Sequence, residues 1–380
     1  MVFMETRRAL RTTLISLPML ALTAAIFAPG GAPASGARLW GAALIYITFN
    51  SAFVLMVHTG KTDRWRAPIF FLYAVLFAVS LLGNLADLSA LPGFNPDFMF
   101  EENAPICPIA VPFTLLPAAL TRTLIWPGQV SGGHTSAASV LITWLAASLV
   151  LGRGWCSWTC FFGGFEDVFS RLLPAPVIRN TPKWLTSLPM ALLIVFALLS
   201  AALMFPAYCI ATCPFKTVTE LPFANSAGDL VRIGIYTTIS VLMVIVLPML
   251  LKRRAQCSFL CPLGALQTGT NYITPFDIRV DTKACSKCGA CVKACPVYAM
   301  TEDSLAAGRA GAACAKCGKC SDICPDGAVR FHVKGTPEGS GGELARILFL
   351  YPAFLMMMLI MGSACVDGAA RLITMLGRVL

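Results

Sequence analysis

Cys285-Ser-Lys-Cys288-Gly-Ala-Cys291-Val-Lys-Ala-Cys295-Pro296 is followed by Cys314-Ala-Lys-Cys317-Gly-Lys-Cys320-Ser-Asp-Ile-Cys324-Pro325. Both copies carry the spacing C-x2-C-x2-C-x3-C-P. A tight loop of this spacing wraps three thiolates around one iron–sulfur cubane, and in the doubled run the fourth cysteine of each copy ligates the other cluster. The spacing therefore predicts two [4Fe–4S] clusters, one on Cys285, Cys288, Cys291 and Cys324, the other on Cys314, Cys317, Cys320 and Cys295. A pair of structural zinc sites is the alternative for C-x2-C pairs, and the doubled run argues against it.

These cysteines lie in the one polar stretch of the chain, Thr274 to Glu343, which has no run that could span a bilayer. Outward from it the composition changes completely. Of 380 residues, 57% are hydrophobic and 13% charged, and the mean hydropathy is +0.73. Soluble domains carry about 25% charge, so a soluble globular protein is excluded. Apolar runs long enough to cross as helices occur at Leu10 to Ala28, Leu39 to Val57, Pro68 to Ala86, Ser136 to Leu151, Leu185 to Phe205, Leu230 to Leu251 and Ala345 to Ser363. The expected fold is mainly α: a polytopic transmembrane bundle of about seven helices with a small α+β two-cluster ferredoxin-like domain. Its expected divisions are a transmembrane region with C-x3-C loops (1–273), the cytoplasmic cluster domain (274–343) and a C-terminal transmembrane helix with a short outer tail (344–380). Residues Ile109 to Trp126 are apolar but contain Pro112, Pro117 and Arg122, and read as re-entrant or interfacial.

The net charge of +10 would suggest nucleic acid in a soluble protein; here it reads as topology, with no nucleic-acid partner. Thirteen basic residues, from Arg7, Arg8 and Arg11 through Lys61, Arg64 and Arg66 and Arg153, Arg171, Arg179 and Lys183 to Lys252, Arg253 and Arg254, fall on one side. Six fall on the other: Arg38, Arg122, Lys216, Arg232, Arg371 and Arg378. This bias predicts the N-terminus and cluster domain inside a bacterial inner membrane and the C-terminus outside. The basic start, apolar run and small residues Gly31 to Ala37 also resemble a cleaved signal. Three histidines, His58, His134 and His332, are too few and too scattered for haem pairs.

Eight cysteines remain. Cys156 and Cys160, Cys209 and Cys213, and Cys257 and Cys261 share C-x3-C spacing, which on a helix puts two thiols on one face. Cys156-Ser-Trp-Thr-Cys160-Phe-Phe-Gly-Gly-Phe repeats as Cys257-Ser-Phe-Leu-Cys261-Pro-Leu-Gly-Ala-Leu, each after a transmembrane run and an arginine, Arg153 or Arg254. Repeats that meet at an interface often build sites in membrane proteins. The predicted topology sorts the thiols into an inner set (Cys156, Cys160, Cys257, Cys261) and an outer set (Cys107, Cys209, Cys213, Cys365). Each is a candidate further metal site, iron–sulfur or copper, with Arg153 and Arg254 offsetting thiolate charge. Cysteine also serves as a small buried hydrophobe, and Cys209 with Cys213 could form a disulfide on an oxidising side.

Several transmembrane helices, GR-x2-C-x3-C at Arg153 to Cys160, C-x3-C-P at Cys257 to Pro262, and the doubled cluster run together resemble the membrane polyferredoxins of the NapH, NosR, MauN and CcoG kind. The resemblance covers roughly Cys107 to Val333. It implies electron movement in respiratory or maturation pathways, with quinol as a donor in several members. Two departures stand out: Phe161 occupies the family's proline position after the second cysteine, and no flavin-binding outer domain of the NosR type fits the available lengths.

The reading is a membrane-bound electron-transfer protein, in contact with membrane lipid, relaying electrons between a quinone pool or soluble donor and a membrane or periplasmic redox partner. Nothing in the sequence marks a catalytic nucleophile or base, and a subunit of an oxidoreductase system is expected rather than a stand-alone enzyme. The rivals are a copper-handling or copper(II)-reducing assembly factor, since soft thiolates suit copper(I), and a membrane redox sensor. Arg122, Glu166, Asp167, Glu220 and Asp229 lie near helix ends where a quinol headgroup would need a proton acceptor, although solvated caps and snorkelling anchors look the same. The seven tryptophans read as an interfacial belt.

Overall fold

The computed structural model describes residues 2–27, 36–89, 111–122, 137–205, 207–213, 224, 226–337 and 341–379. Helices α1 (Val2–Phe27), α2 (Gly36–Thr59) and α3 (Thr62–Ser89) precede the shorter α4 (Val111–Thr121) and α5 (Ala137–Leu151). Next come α6 (Trp155–Trp158), α7 (Phe161–Leu172), α8 (Leu188–Leu203) and α9 (Ala207–Ala211), then α10 (Ala227–Val241), which runs through a π-helical turn into α11 (Leu247–Leu251). They are followed by α12 (Pro262–Thr270), strand β1 (Phe276–Val280), α13 (Ala290–Ala294), α14 (Glu302–Ala306), α15 (Lys319–Ile323), strand β2 (Val329–Val333) and α16 (Gly342–Val379).

Six helical stretches among the described residues are long and apolar enough to cross a membrane: Thr6–Phe27, Gly36–Thr59, Thr62–Asp87, Trp184–Leu203, Ala227–Leu251 and Gly342–Ile360. Of the seven expected stretches, the one at Ser136 to Leu151 is described from Ala137 onward, as the 15-residue α5. The proline-bearing stretch after Ile109 folds as the eleven-residue α4, and Arg122 ends it in a left-handed conformation (φ 59°).

Helix α16 packs along α2 and α3 and forms the centre of the bundle. Phe53 meets Phe354 with ring centroids 5.0 Å apart, and Gly368 passes so close to the Leu76 carbonyl that any Cβ there would collide with it. Between α1 and α2, Thr23 Oγ1 donates to Asn50 Oδ1 at 3.0 Å, a buried pairing of the kind that holds helices together where water is absent.

β1 and β2 pair antiparallel, from Phe276 opposite Val333 to Val280 opposite Val329. The alternation of the strand turns Phe276, Ile278 and Val280 inward, as a half-buried strand requires. This small unit is docked on the bundle rather than tethered to it. Phe349 of α16, fully buried, contacts Phe331, Phe276 and Trp158 at centroid distances of 5.3, 5.5 and 6.0 Å. Asp322 of α15 accepts from the backbone amides of Thr62 (2.9 Å) and Arg64 (3.1 Å), so a carboxylate of the cluster unit caps the N-terminus of a transmembrane helix.

Candidate metal centre

The two cysteine loops of the cluster unit share an unusual backbone. Lys287 and Lys316, one residue before the second cysteine of each run, have φ of 57° and 48°. Gly289 and Gly318, one residue after it, have φ of 70° and 84°. Tyr298 and Gly327, three residues past the fourth cysteines, are left-handed as well. Successive residues that switch between right- and left-handed conformations turn their amides inward and make anion-binding concavities of the type found around iron–sulfur clusters. A lysine would not adopt this conformation without a constraint from its surroundings.

Within the unit, Cys291 lies in electrostatic reach of Cys285 and Cys324, and Cys320 in reach of Cys314, Cys317 and Cys295. Cys288 is exposed at the surface. The second group is deeper: Cys295, Cys317 and Cys320 are buried, burial pushes the Cys314 thiol up to about 12, and burial brings the neighbouring Lys316 ammonium down to about 8. Thiols held protonated in this way bind metal only with release of their protons.

The repeat at Cys156 and Cys257 meets itself in the structure. Cys257 is in electrostatic reach of Cys156, Cys160 and Cys261, and all four thiols are buried. The arginines cross: Arg153 Nη2 donates to the Cys257 carbonyl at 2.8 Å, and Arg254 Nη1 to the Cys156 carbonyl at 3.2 Å. Each repeat thus anchors the other through the residue three before its first cysteine. The glycines seven residues after those cysteines allow the fit, since a Cβ at Gly163 would collide with the Cys156 carbonyl and one at Gly264 would lie 3.0 Å from that of Cys257.

Continuous helix through each pair, the expected geometry, is not what forms. The chain turns extended at the second cysteine, with φ/ψ of −87°/117° at Cys160 and −81°/111° at Cys261, and α7 and α12 start immediately after. The break takes the second thiol of each pair off the helical ridge that a continuous helix would give it. Pro262 starts α12 at a position where proline is favoured. Phe161 does the same for α7 with matching cysteine dihedrals, its ring stacked on Phe77 at 4.6 Å, so the departure from the family pattern leaves the backbone unchanged.

Five buried polar atoms on these two loops have no hydrogen-bond partner: Arg153 Nε, Arg254 Nε, Trp155 Nε1, Thr159 Oγ1 and Ser258 Oγ. Buried donors are almost always paired, and unpaired ones beside four thiols fit a group that brings its own acceptors, as the sulfides of an iron–sulfur cluster do. No three or more His, Cys, Asp or Glu residues among the described residues are grouped to hold a single metal ion.

A buried charge network joins the two regions. Arg66 donates to the Cys317 carbonyl (3.2 Å), the Ser157 carbonyl (2.8 Å) and Asp167 Oδ2 (2.8 Å). Arg254 reaches Asp167 Oδ1 at 2.8 Å and Ser157 Oγ at 2.9 Å. Burial drives the Asp167 carboxyl up, but Arg254, Arg66 and Arg171 around it outweigh burial and hold it well below the usual carboxylate range. Glu166 accepts from the amides of Gln256 (2.6 Å) and Cys257 (3.0 Å), and burial pushes its carboxyl up to about 7. Trp158 Nε1 donates to the Lys316 carbonyl at 3.3 Å.

Several expectations shift accordingly. Glu166 and Asp167 are fully buried structural partners rather than solvated helix-end groups, and Asp229 is the N3 residue of a capping box with Ser226. Trp144, Trp155 and Trp158 are buried, whereas Trp40 and Trp184 are exposed as an interfacial belt would have them. Of the outer thiols, Cys209 and Cys213 lie beside Tyr208, which is also in reach of Cys261, and Cys365 lies beside Tyr73, which is in reach of Cys160. One tyrosine thus stands within electrostatic reach of an outer and an inner thiol in each case. Cys107 and Glu220 lie outside the described residues. Sequence reasoning passed over Asp63 and treated Arg66 only as a topological charge, yet the signal was there: charged residues in so apolar a chain must find partners.

A family described as a 4Fe-4S dicluster domain matches residues 284–329, and one described as a 4Fe-4S binding domain matches 134–178, 186–230 and 234–280. Each of the latter three spans holds one C-x3-C pair. Among curated proteins, the chain is 30% identical over 177 residues to YccM of Escherichia coli, whose name assigns it to electron transport; the match covers 44% of this chain and 48% of YccM. It is 26% identical to the regulatory protein NosR of Pseudomonas aeruginosa over 43% of this chain and 23% of NosR. With the methylamine utilization ferredoxin-type protein MauN of Methylobacillus flagellatus it shares 24% identity, over 50% of this chain and 62% of MauN. The matches thus span less than two thirds of the length of each of these relatives. No solved structure matches. The chain thus carries matches to 4Fe-4S binding domains, has apolar helices of membrane-spanning length, and is similar to the membrane polyferredoxins of the NosR and MauN kind.

Proposed function

We propose that the protein relays electrons between a membrane quinone pool or soluble donor and a respiratory or maturation redox partner, and that the relay extends from the cluster unit into the bundle. Cys285, Cys288, Cys291 and Cys324 would hold one [4Fe–4S] cluster, Cys314, Cys317, Cys320 and Cys295 a second, and Cys156, Cys160, Cys257 and Cys261 a third iron–sulfur centre. When bound, such clusters supply one-electron chemistry at potentials set by burial and hydrogen bonding. The chain's own residues hold the two regions in register, exclude water and set the charge around them. The observation that carries this reading is Arg66, a single buried guanidinium bonded to the carbonyls of both Cys317 and Ser157.

Exposure orders the sites. The first cluster site, with Cys288 at the surface, is the port for a soluble partner, and the deeper second site faces the bundle. The charge bias of the loops favours a bacterial inner membrane with the cluster unit in the cytoplasm. Of the rivals, a regulatory role draws support from the printed name of NosR. Rapid-mixing of the reduced quinol with the full-length protein in membranes tests the relay: cluster absorbance bleaching within turnover time is expected. Absence of bleaching by quinol and by dithionite-reduced soluble ferredoxin alike would overturn it and leave the sensor reading.

A further inference from the structure

A cavity of about 390 Å³ opens at the end of the bundle that carries the cluster unit, between α1, the end of α2 and the start of α16. Arg7, Arg8, Arg11, Thr12, His58 and Glu343 make its polar wall, and Ile15 and Val57 are its apolar lining. Among the described side chains of its lining, three guanidinium groups face one carboxylate. Arg8 Nε and Nη2 both donate to the His58 carbonyl, at 3.0 and 2.6 Å, which fixes the side chain without neutralising it. Arg11 pairs with Glu343 at 3.0 Å, but both groups are about half exposed, and pairs of this kind are weak and readily rearranged.

The same helix supplies an apolar continuation. Leu10, Leu14 and Leu17 are 61%, 64% and 55% exposed, and their spacing puts them on one face with Arg7 and Arg11. Positive charge at headgroup depth above an apolar stripe matches an amphiphile rather than a free anion, and basic pockets between transmembrane helices take anionic headgroups. We propose that this pocket binds the phosphodiester headgroup of an anionic membrane phospholipid whose acyl chains lie along the leucines of α1. The lipid would fasten a peripheral helix: the α1 span is 22% buried within the protein, against 44% for α2.

The test uses the full-length protein in detergent, with phosphatidylglycerol, phosphatidylcholine and inorganic phosphate as probes. Phosphatidylglycerol is expected to raise the thermal midpoint, with half-saturation shifted on the order of tenfold or more in Arg7→Gln/Arg11→Gln. The charge-matched pair Arg179→Gln/Lys252→Gln, outside the pocket, should bind as the wild type does. Equal stabilisation by phosphatidylcholine, full stabilisation by phosphate alone, or an equal loss in the charge-matched pair would each overturn the proposal. Should the first variant not fold, native mass spectrometry of the wild type decides: preferential retention of phosphatidylglycerol supports the site, and equal retention of both lipids refutes it.

Discussion

Asp167 is the residue on which the packing of the cysteine region turns. It accepts from three arginines and is fully buried, and breaking a buried ion network by removing one partner typically costs about 3–5 kcal/mol. Asp167→Asn should therefore lower the thermal midpoint markedly, whereas Asp229→Asn, at an exposed cap, should lower it far less; equal effects in a melting experiment would contradict the network's role. The pH dependence follows from the sign of the shift. Because the folded-state carboxyl is depressed, its contribution is complete above the ordinary carboxylate value of about 3.9 and fades only as pH falls below it. Gly163 gives a second check: Gly163→Ala drives a methyl into the Cys156 carbonyl and should destabilise by about 1–3 kcal/mol, while Gly234→Ala, with open space around it, should be neutral or mildly stabilising. None of this is legible from Glu166-Asp167 as letters, since an acidic pair near a helix end reads the same whether water or three guanidinium groups lie beside it.

At the level of elements, hydropathy made the long helices legible because length and apolarity are what a bilayer demands. The left-handed turns around Cys288 and Cys317 follow from local spacing and glycine placement, which a sequence displays. The break at Cys261 is local too, since the residue before Pro262 is biased to extended backbone, whereas the matching break at Cys160, before Phe161, has no such signal in the sequence. Likewise the cap that Asp322 places on α3 joins residues some 260 positions apart in the chain. Asp322→Asn weakens that cap and should cost about 0.5–2 kcal/mol. Hydrogen exchange should then rise in 284–333 and at the start of α3 together; exchange confined to the cluster unit would show that the cap does not hold the two parts together.

For the whole molecule, the arrangement is a shallow cluster site, a deeper one, a bonded bridge through Arg66 and Ser157, and a buried four-thiol pocket inside the bundle, with Tyr73 and Tyr208 leading on toward Cys365 and Cys213. The sequence carried the membrane class and the dicluster run, while the meeting of the C-x3-C repeats depended on contacts between segments about 100 residues apart. The most direct measurement is iron and acid-labile sulfide content, with electron paramagnetic resonance of the reduced protein, on anaerobically purified wild type and Cys257→Ser/Cys261→Ser. The account predicts iron well above the roughly eight atoms that two [4Fe–4S] clusters supply, and a signal lost in the variant while the dicluster signals stay. About eight irons in both proteins, with identical spectra, would contradict it and confine the redox chain to the cluster unit.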